Sequence, residues 1–309
     1  MKIYRALFFS MTLTLVPLTG VMSQRRSVST TREAADAIIT VKSEPGAIVW
    51  VDEVRRGTTD ETGVLTIRKF KPGRHVFRVR ALGFSEKSLP LTSSPSQISV
   101  PLIRTSDRAE LSFQRAEQAS EKAHDEESRK AAAELYRDAI KIKAAMPAAH
   151  VGLARVLLEL NDFKGALAEV GQARRYRPIY PEASAVEGRI HRTSAFMDQA
   201  VEAFNRSIRE AHGFEPEAHT GLALVYDDQG QYDQAIAEFK KALDQLSDTE
   251  PILYQLLGAT YEKQEKYKEA VQSYDKYLEL APNGSLAPAI RSVIDQLRKQ
   301  ANGEQLMPE

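Results

Sequence analysis

The chain has 309 residues, with 42 Lys and Arg against 42 Asp and Glu, and it contains no Cys. This composition excludes disulfide-rich scaffolds, thiolate metal sites and cysteine nucleophiles, and its 42% hydrophobic content excludes disorder over the whole length. The charge is unevenly distributed, because residues 38–104 hold 11 basic and 6 acidic residues whereas residues 105–309 hold 26 and 34.

The first 23 residues combine a basic start with a short apolar run. Lys2 and Arg5 precede an apolar segment that ends at Leu18, and small residues then lead to Gln24. Because this segment is shorter than the roughly 20 residues that span a bilayer, residues 1–23 are expected to be a cleaved secretory signal peptide. This indicates a mature protein outside the cytoplasm of a bacterium, in the periplasm or secreted, with no later membrane span. The alternative is an uncleaved N-terminal anchor in the inner membrane.

Short hydrophobic runs of period two fill residues 38–104, after a polar segment at 24–37 that is expected to be a linker. Each run is separated from the next by a cluster of turn residues rich in Gly, Pro or Ser. Short strands with such turns between them predict a small β-sandwich. The runs lie at residues 39–43, 47–51, 64–67, 75–81 and 98–102.

Two segments of this region, ITVKSEPGAIVWVDE and FKPGRHVFRVRALGF, resemble the PEGA domain family. The namesake motif differs, since residues 44–47 read Glu-Pro-Gly-Ala where the family shows Pro-x-Gly-Ala. The stretch at residues 58–84 also resembles the carboxypeptidase-regulatory-like domain, and both alternatives stay open. Either resemblance implies a non-catalytic β module of an extracytoplasmic protein.

The strand at residues 75–81 is expected to carry an apolar face, with Phe77 and Val79, and an opposite basic face. The basic face holds Arg74, Arg78 and Arg80. One interpretation is a solvated outer face. The other is a patch for an acidic surface, which could be cell-wall polymer, lipid headgroups or the acidic repeats of the same chain. Because few aromatic residues interleave with these charges, no nucleic-acid binding is expected.

From residue 105 the hydrophobic pattern becomes helical and repeats every 34 or 35 residues. This period resembles the tetratricopeptide repeat family, most closely in AHTGLALVYDDQGQYDQAIAEFKKAL, and it implies a solenoid of helix-turn-helix units. Four sets of residues keep the spacing in register: Ala132, Ala166, Ala200, Ala235 and Ala270; Ala154, Gly188, Ala223 and Gly258; Phe163, Met197, Tyr232 and Tyr267; Val170, Phe204, Phe239 and Tyr274.

Prolines at residues 147, 181, 216 and 251 predict where the first helix of a repeat begins, because proline at the first helical position loses no hydrogen bond. About five repeats are expected over residues 105–282. A capping helix at 283–300 and a disordered tail at 301–309 should follow. The predicted fold class is α+β multidomain, with a small N-terminal β-sandwich followed by an all-α tetratricopeptide solenoid.

No group of residues suits catalysis. The six His include no pair at a metal-ligand spacing, and the sequence has no phosphate-binding glycine loop and no nucleophile elbow. His150 and His219 occupy equivalent positions in first helices and are interpreted as packing residues. We therefore expect no enzyme activity, no metal site and no cofactor.

The resemblance to tetratricopeptide proteins implies that the first helices line a concave surface that binds a protein or peptide partner. The main hypothesis is an exported, non-enzymatic scaffold or adaptor of the cell envelope. One alternative is a cell-wall or polysaccharide-binding protein that acts through the β domain, with the repeats as a spacer. Another is docking of the basic sandwich onto the acidic repeats of the same chain. The candidate groove residues are Arg155, Glu159, Glu182, Arg189, Arg192, Asp227, Asp228, Gln255, Glu262 and Lys263.

Overall fold

The computed structural model describes residues 37–70, 73–93, 95–246 and 250–301. The predicted signal peptide at 1–23, all of the linker before residue 37, and the tail from residue 302 lie outside the described residues. Within the described ranges, no helix is both long enough and apolar enough to cross a membrane.

Strands come first along the described part of the chain, and they form two sheets. The strands are β1 (Ala37–Lys42), β2 (Ile48–Val51), β3 (Val54–Thr58), β4 (Val64–Phe70), β5 (His75–Arg80), β6 (Lys87–Leu91) and β7 (Gln97–Ser99). One sheet has the order β4-β1-β7, with β1 antiparallel to β4 and parallel to β7. The other sheet has the order β3-β2-β5-β6 and is antiparallel throughout.

The two sheets share one hydrophobic core, so this N-terminal region is a small β domain. Val41 of the first sheet and Val49, Phe77 and Val79 of the second sheet are fully buried in the same cluster. Alternation along β5 therefore turns Phe77 and Val79 inward, as the sequence predicts. We call this region, residues 37–104, the β domain.

The sequence pattern does not predict β3 and β6. Both lie at the edges of the four-stranded sheet. β3 reads Val-Arg-Arg-Gly-Thr, and β6 contains Pro90. Edge strands keep polar residues and tolerate proline because one side of an edge strand makes no ladder hydrogen bonds. A pattern search for alternating hydrophobic residues therefore misses them.

Eleven helices follow in the described residues, and consecutive helices pack in pairs: α1 with α2, α3 with α4, α5 with α6, α7 with α8, and α9 with α10. A last helix, α11, packs on α10. The helices are α1 (Arg108–Lys122), α2 (Glu126–Ile142), α3 (Pro147–Glu159), α4 (Phe163–Tyr176), α5 (Pro181–Thr193), α6 (Met197–Glu210), α7 (Pro216–Asp228), α8 (Tyr232–Gln245), α9 (Pro251–Lys263), α10 (Tyr267–Leu280) and α11 (Ala287–Ala301).

The repeat-spaced residues explain how each pair packs. The five alanines of the first set, Ala132 to Ala270, have no exposed surface. Gly188 of α5 faces the ring of Phe204, and a Cβ atom at Gly188 would lie 2.7 Å from that ring. Phe204 also touches Gly221 of α7, so the ring fills the space between two neighbouring first helices. Small residues thus create the room that each aromatic side chain occupies.

Candidate functional site

The first helices of successive pairs line one side of the solenoid. Helix α1 contacts α3, α3 contacts α5, and α5 contacts α7. In the described residues, the second helices of successive pairs, such as α2 and α4, lie farther apart than these first helices do. The stack therefore bends with the first helices on its inner side. Helices α7 and α9 contact each other less closely than α5 and α7 do. We call this inner side the concave surface.

Most of the predicted groove residues lie on this surface in ion pairs that link neighbouring repeats. Arg155 of α3 lies 2.8 Å from Glu182 of α5, measured from Nη1 to Oε1. Further pairs join Arg192 to Asp228 at 2.8 Å, Lys263 to Asp227 at 2.5 Å, Arg129 to Glu159 at 2.9 Å and Arg189 to Glu217 at 3.5 Å. Glu262 accepts a hydrogen bond from the hydroxyl of Tyr274, and Gln255 is half-buried on α9.

These pairs change the electrostatic interpretation of the groove. The sequence predicts a basic middle followed by an acidic stretch, but the structure brings Arg192 to Asp228 and Lys263 to Asp227. Opposite charges at hydrogen-bond distance neutralise one another locally. Apolar contacts and complementary shape would therefore contribute more to the binding free energy of a partner than electrostatic attraction to a surface of one charge.

The β domain covers the first half of the concave surface. The outer face of its four-stranded sheet turns Ile48 and Trp50 toward the solenoid, and Trp50 is only 5% exposed. A cavity of about 270 Å³ lies at this junction. Its walls come from β2, β3, α1, α3, α5 and α7 and include Trp50, Val54, Glu117, Arg155, Glu182 and Glu215. We call this covered part of the concave surface the closed half.

Polar side chains hold the β domain on helix α1. The side-chain amide of Gln114 makes two hydrogen bonds with the backbone of the β domain. Its Nε2 donates to the carbonyl of Phe84 at 2.9 Å, and its Oε1 accepts from the N–H of Gly83 at 2.6 Å. Arg80 donates to Glu117 at 3.1 Å. Because Gln114 is buried, both halves of its amide need these partners.

Two more contacts extend the junction along the solenoid. Arg177, which follows α4, donates to Glu53 in the turn between β2 and β3, at 2.6 Å between Nη1 and Oε2. The guanidinium of Arg56 on β3 lies 3.9 Å from the ring centre of Phe214, in the turn before α7. The β domain therefore contacts the solenoid from the first repeat to the start of the fourth.

The structure corrects the interpretation of β5 as a solvated basic face. Arg78 and Arg80 are 2% and 6% exposed, and both stack on Trp50 beneath the solenoid. Arg74 remains exposed. The three residues therefore do not form one exposed patch, and a cell-wall polymer would find only Arg74 of the three accessible. Three acidic surfaces are candidates for this face from the sequence: cell-wall polymer, lipid headgroups and the acidic repeats. Arg80 pairs with Glu117, which belongs to the repeats.

Sequence reasoning missed Glu215, which lies at the closed half directly before α7. Glu215 is 4% exposed. Burial raises the pKa of Glu215 well above its usual value, and the nearby carboxylates of Glu217 and Glu182 raise it further. No sequence signal marks this residue, because its burial depends on the docked β domain.

The rest of the concave surface is an open groove of about 610 Å³ on α5, α7 and α9. Apolar side chains make up much of its lining, which also includes Arg189, Arg192 and Glu217. We call it the open half. Its lining includes Leu158, Thr193, Thr220, Leu224, Ile252 and Leu253.

His150 and His219 are both buried, and each pairs with a glutamate of the following helix. The Nδ1 atoms lie 2.6 Å from Glu169 and 2.6 Å from Glu238, respectively. A recurring separation of 19 residues in the sequence signals this pairing. Among the described residues, no cluster of His, Asp or Glu suits a metal ion.

Comparisons with known proteins identify the repeats. Tetratricopeptide repeat models match residues 123–190 and 217–283. The chain therefore contains tetratricopeptide repeats. Among curated proteins, none matches the chain.

Solved structures resemble the fold. A thermophilic tetratricopeptide protein of Thermus thermophilus aligns with a TM-score of 0.52 and 24% identity, over 62% of this chain and 98% of its own. The Pseudomonas aeruginosa pilF protein aligns with a TM-score of 0.53 and 17% identity, over 63% and 86%. PilW, a widely conserved type IV pilus biogenesis factor, aligns with a TM-score of 0.55 and 16% identity, over 65% and 90%. At these identities the likeness concerns the fold alone.

Proposed function

We propose that this tetratricopeptide-repeat chain is an exported, non-enzymatic adaptor of the bacterial cell envelope that binds a protein or peptide partner in the open half. The observation that carries the proposal is the groove of about 610 Å³ on α5, α7 and α9, which the chain's own β domain leaves uncovered. Concave apolar grooves with a few polar groups at the edge are typical binding sites.

The chemistry of the open half favours a segment with apolar side chains. Leu224 and Leu253 lie in the groove, and Ile252 at the start of α9 is 46% exposed. Arg189 in this lining pairs with Glu217 only at 3.5 Å, so its guanidinium can exchange that contact for a carboxylate of a partner. An extended or helical segment that combines bulky apolar residues with an acidic residue fits this surface.

The partner-contacting residues of this proposal are those of the predicted groove that the β domain does not cover. Arg155 and Glu182 are left out, because they line the cavity beneath the β domain and not the open half, whereas Arg189 lines both and is kept. The remaining residues of the predicted groove, which we propose for partner contact, are Glu159, Arg189, Arg192, Asp227, Asp228, Gln255, Glu262 and Lys263.

Export and the nature of the β domain are part of the same proposal. The basic start and short apolar run of residues 1–23 support a signal peptide, and the turn-rich strands of residues 38–104 support a PEGA-like or carboxypeptidase-regulatory-like module. An adaptor that acts in the periplasm would combine both. PilW, a type IV pilus biogenesis factor, and the pilF protein share the repeat fold.

The test is an in vivo cross-linking pull-down of the tagged full chain beside an Ile252→Glu variant. A carboxylate in the apolar groove should reduce partner recovery at least about tenfold, which corresponds to roughly 1.4 kcal/mol. The matched control is Ile142→Glu at the end of α2, since Ile142 is 49% exposed and lies outside the groove. Equal recovery by both variants, with unchanged thermal melting, would show that the open half is not the binding site.

A further inference from the structure

The closed half holds one aromatic side chain with two arginines stacked on it. The guanidinium of Arg78 lies 4.0 Å from the ring centre of Trp50, and that of Arg80 lies 4.9 Å from it. Both distances suit a cation–π contact. Trp50 is the only tryptophan of the chain, and it is almost fully buried at the junction. The β domain therefore presents an aromatic ring of β2 beside two arginines of the neighbouring strand β5.

The solenoid opposes this group with an acidic wall. Glu117 of α1 pairs with Arg80. The carboxylate of Glu182 on α5 faces Arg78, which also pairs with Glu53 and Glu86 of its own domain. The carboxylate of Glu217 and the buried carboxyl group of Glu215 also line this cavity. The only basic residues of the solenoid in that cavity are Arg155 and Arg189, within the described part of the chain. The surface is thus complementary to a basic, aromatic ligand.

The junction has the physical character of a separable interface. The buried hydrophobic residues of the β domain and those of the first repeats form two separate clusters, with no hydrophobic core in common. Three clefts that open to solvent, of about 270, 350 and 380 Å³, also lie along the junction. Interfaces between domains that move relative to each other are more polar than permanent interfaces, and the contacts of this junction are mostly polar.

We infer that the β domain is a displaceable occupant of the closed half, and that a partner offering an aromatic side chain beside two arginines binds there in its place. This inference rests on the proposed function, because both place a partner on the concave surface. Displacement would extend the groove from the open half toward α1 and free Arg155 and Glu182 for contact. The chain would then bind a longer segment than the open half alone accommodates.

The fluorescence of Trp50 reports directly on docking, because no other tryptophan contributes. The test variant of the full chain is Arg177→Glu with Phe214→Ala, which removes the contacts to Glu53 and Arg56 from the solenoid side. The matched control is Arg192→Glu with Phe196→Ala, which reverses a similarly exposed arginine and removes an aromatic ring elsewhere on the solenoid. The two substitutions are combined in each variant, because one exposed ion pair alone contributes little to the stability of the docked arrangement.

We expect acrylamide to quench Trp50 several-fold more strongly in the test variant than in the control, with unchanged helical content. A capped Arg-Tyr-Arg peptide added to the unmodified chain should increase the quenching in the same direction. If Trp50 stays shielded in the test variant, or if the peptide leaves the quenching unchanged, the junction is a permanent part of the fold and the inference is wrong. Ile252→Glu changes the open half and should leave the quenching of Trp50 in the closed half unchanged. The pull-down with Ile252→Glu therefore tests the proposed function, and the quenching of Trp50 tests this inference separately.

Discussion

Arg80 of β5 donates a hydrogen bond to Glu117 of α1, with 3.1 Å between Nη2 and Oε2, and this contact joins the β domain to the first repeat. The other carboxylate oxygen of Glu117 accepts from the hydroxyl of Tyr136 on α2, at 2.5 Å. One side chain therefore links a strand, the first helix and the second helix. Tyr136 is buried, so the link reaches the hydrophobic core of the repeats.

Glu117→Gln should destabilise the chain by about 1–3 kcal/mol, because it leaves the buried guanidinium of Arg80 with a weaker partner. Chemical denaturation, followed by far-UV circular dichroism, measures the change in the free energy of unfolding. Glu134→Gln is the control, since Glu134 pairs with Arg137 on an exposed face of α2 and should change stability by less than about 0.5 kcal/mol. Equal effects of both changes would refute the structural role of Glu117.

The stability of the chain should depend on pH through Glu215. Burial raises the pKa of Glu215 well above the usual 4.5, so the folded state binds a proton that the unfolded state releases. The stabilisation is then fully present below about pH 4.5 and is lost as the pH rises from there toward the folded-state pKa. Glu215→Gln, which stays neutral, should be more stable than the unmodified chain at about pH 8 and about equal to it near pH 4.

Urea unfolding at several pH values measures this difference. Glu202→Gln on the exposed side of α6 is the control and should shift stability equally at every pH. A difference between Glu215→Gln and the unmodified chain that does not vary with pH would contradict the assignment of a buried, protonated carboxyl group.

The repeats could be predicted from the sequence because each repeat buries its helix faces against its neighbours. Ala166 and Ala200 recur at one spacing since the same close approach of helices recurs. The covering of β5 follows from the sequence only as one of several alternatives, the docking of the basic sandwich onto the acidic repeats. Alternation shows that Arg78 and Arg80 share a face, but it carries no information about what packs against that face.

The division of the concave surface also depends on contacts between distant residues. The family pattern predicts that Arg155 and Arg192 line one groove, whereas the β domain covers the first and leaves the second accessible. Contacts such as that between Glu53 and Arg177 join residues 124 positions apart. Periodicity within 34 residues cannot reveal such pairs, so only the structure separates the closed half from the open half.

The imidazole of His150 should titrate above its usual pKa of 6.5. Burial lowers the pKa of His150, but the hydrogen bonds to Glu169 and to the carbonyl of Ala144 outweigh it and raise the pKa overall. In Glu169→Gln the burial remains while the carboxylate is gone, so the midpoint should fall below that of the unmodified chain. NMR titration of the imidazole resonance measures both midpoints. An unchanged midpoint in Glu169→Gln would contradict the pairing.

Gly188→Ala tests whether the glycine of α5 is required by the ring of Phe204. The added Cβ atom would lie 2.7 Å from the ring, which is closer than van der Waals contact allows. We expect a loss of about 1–3 kcal/mol in the free energy of unfolding, because the ring is fully buried and cannot move away without repacking α7.

Gly171→Ala provides the opposite case on α4, where no heavy atom outside the local helix lies within 4 Å of the added carbon. This change should stabilise the chain by about 0.5–1 kcal/mol, because alanine favours helical backbone more than glycine does. Opposite signs for the two substitutions, measured by the same thermal or urea unfolding, would show that contact with Phe204 and not helix propensity determines the residue at position 188. If both substitutions stabilise, the close approach of α5 to Phe204 is not a constraint on the fold.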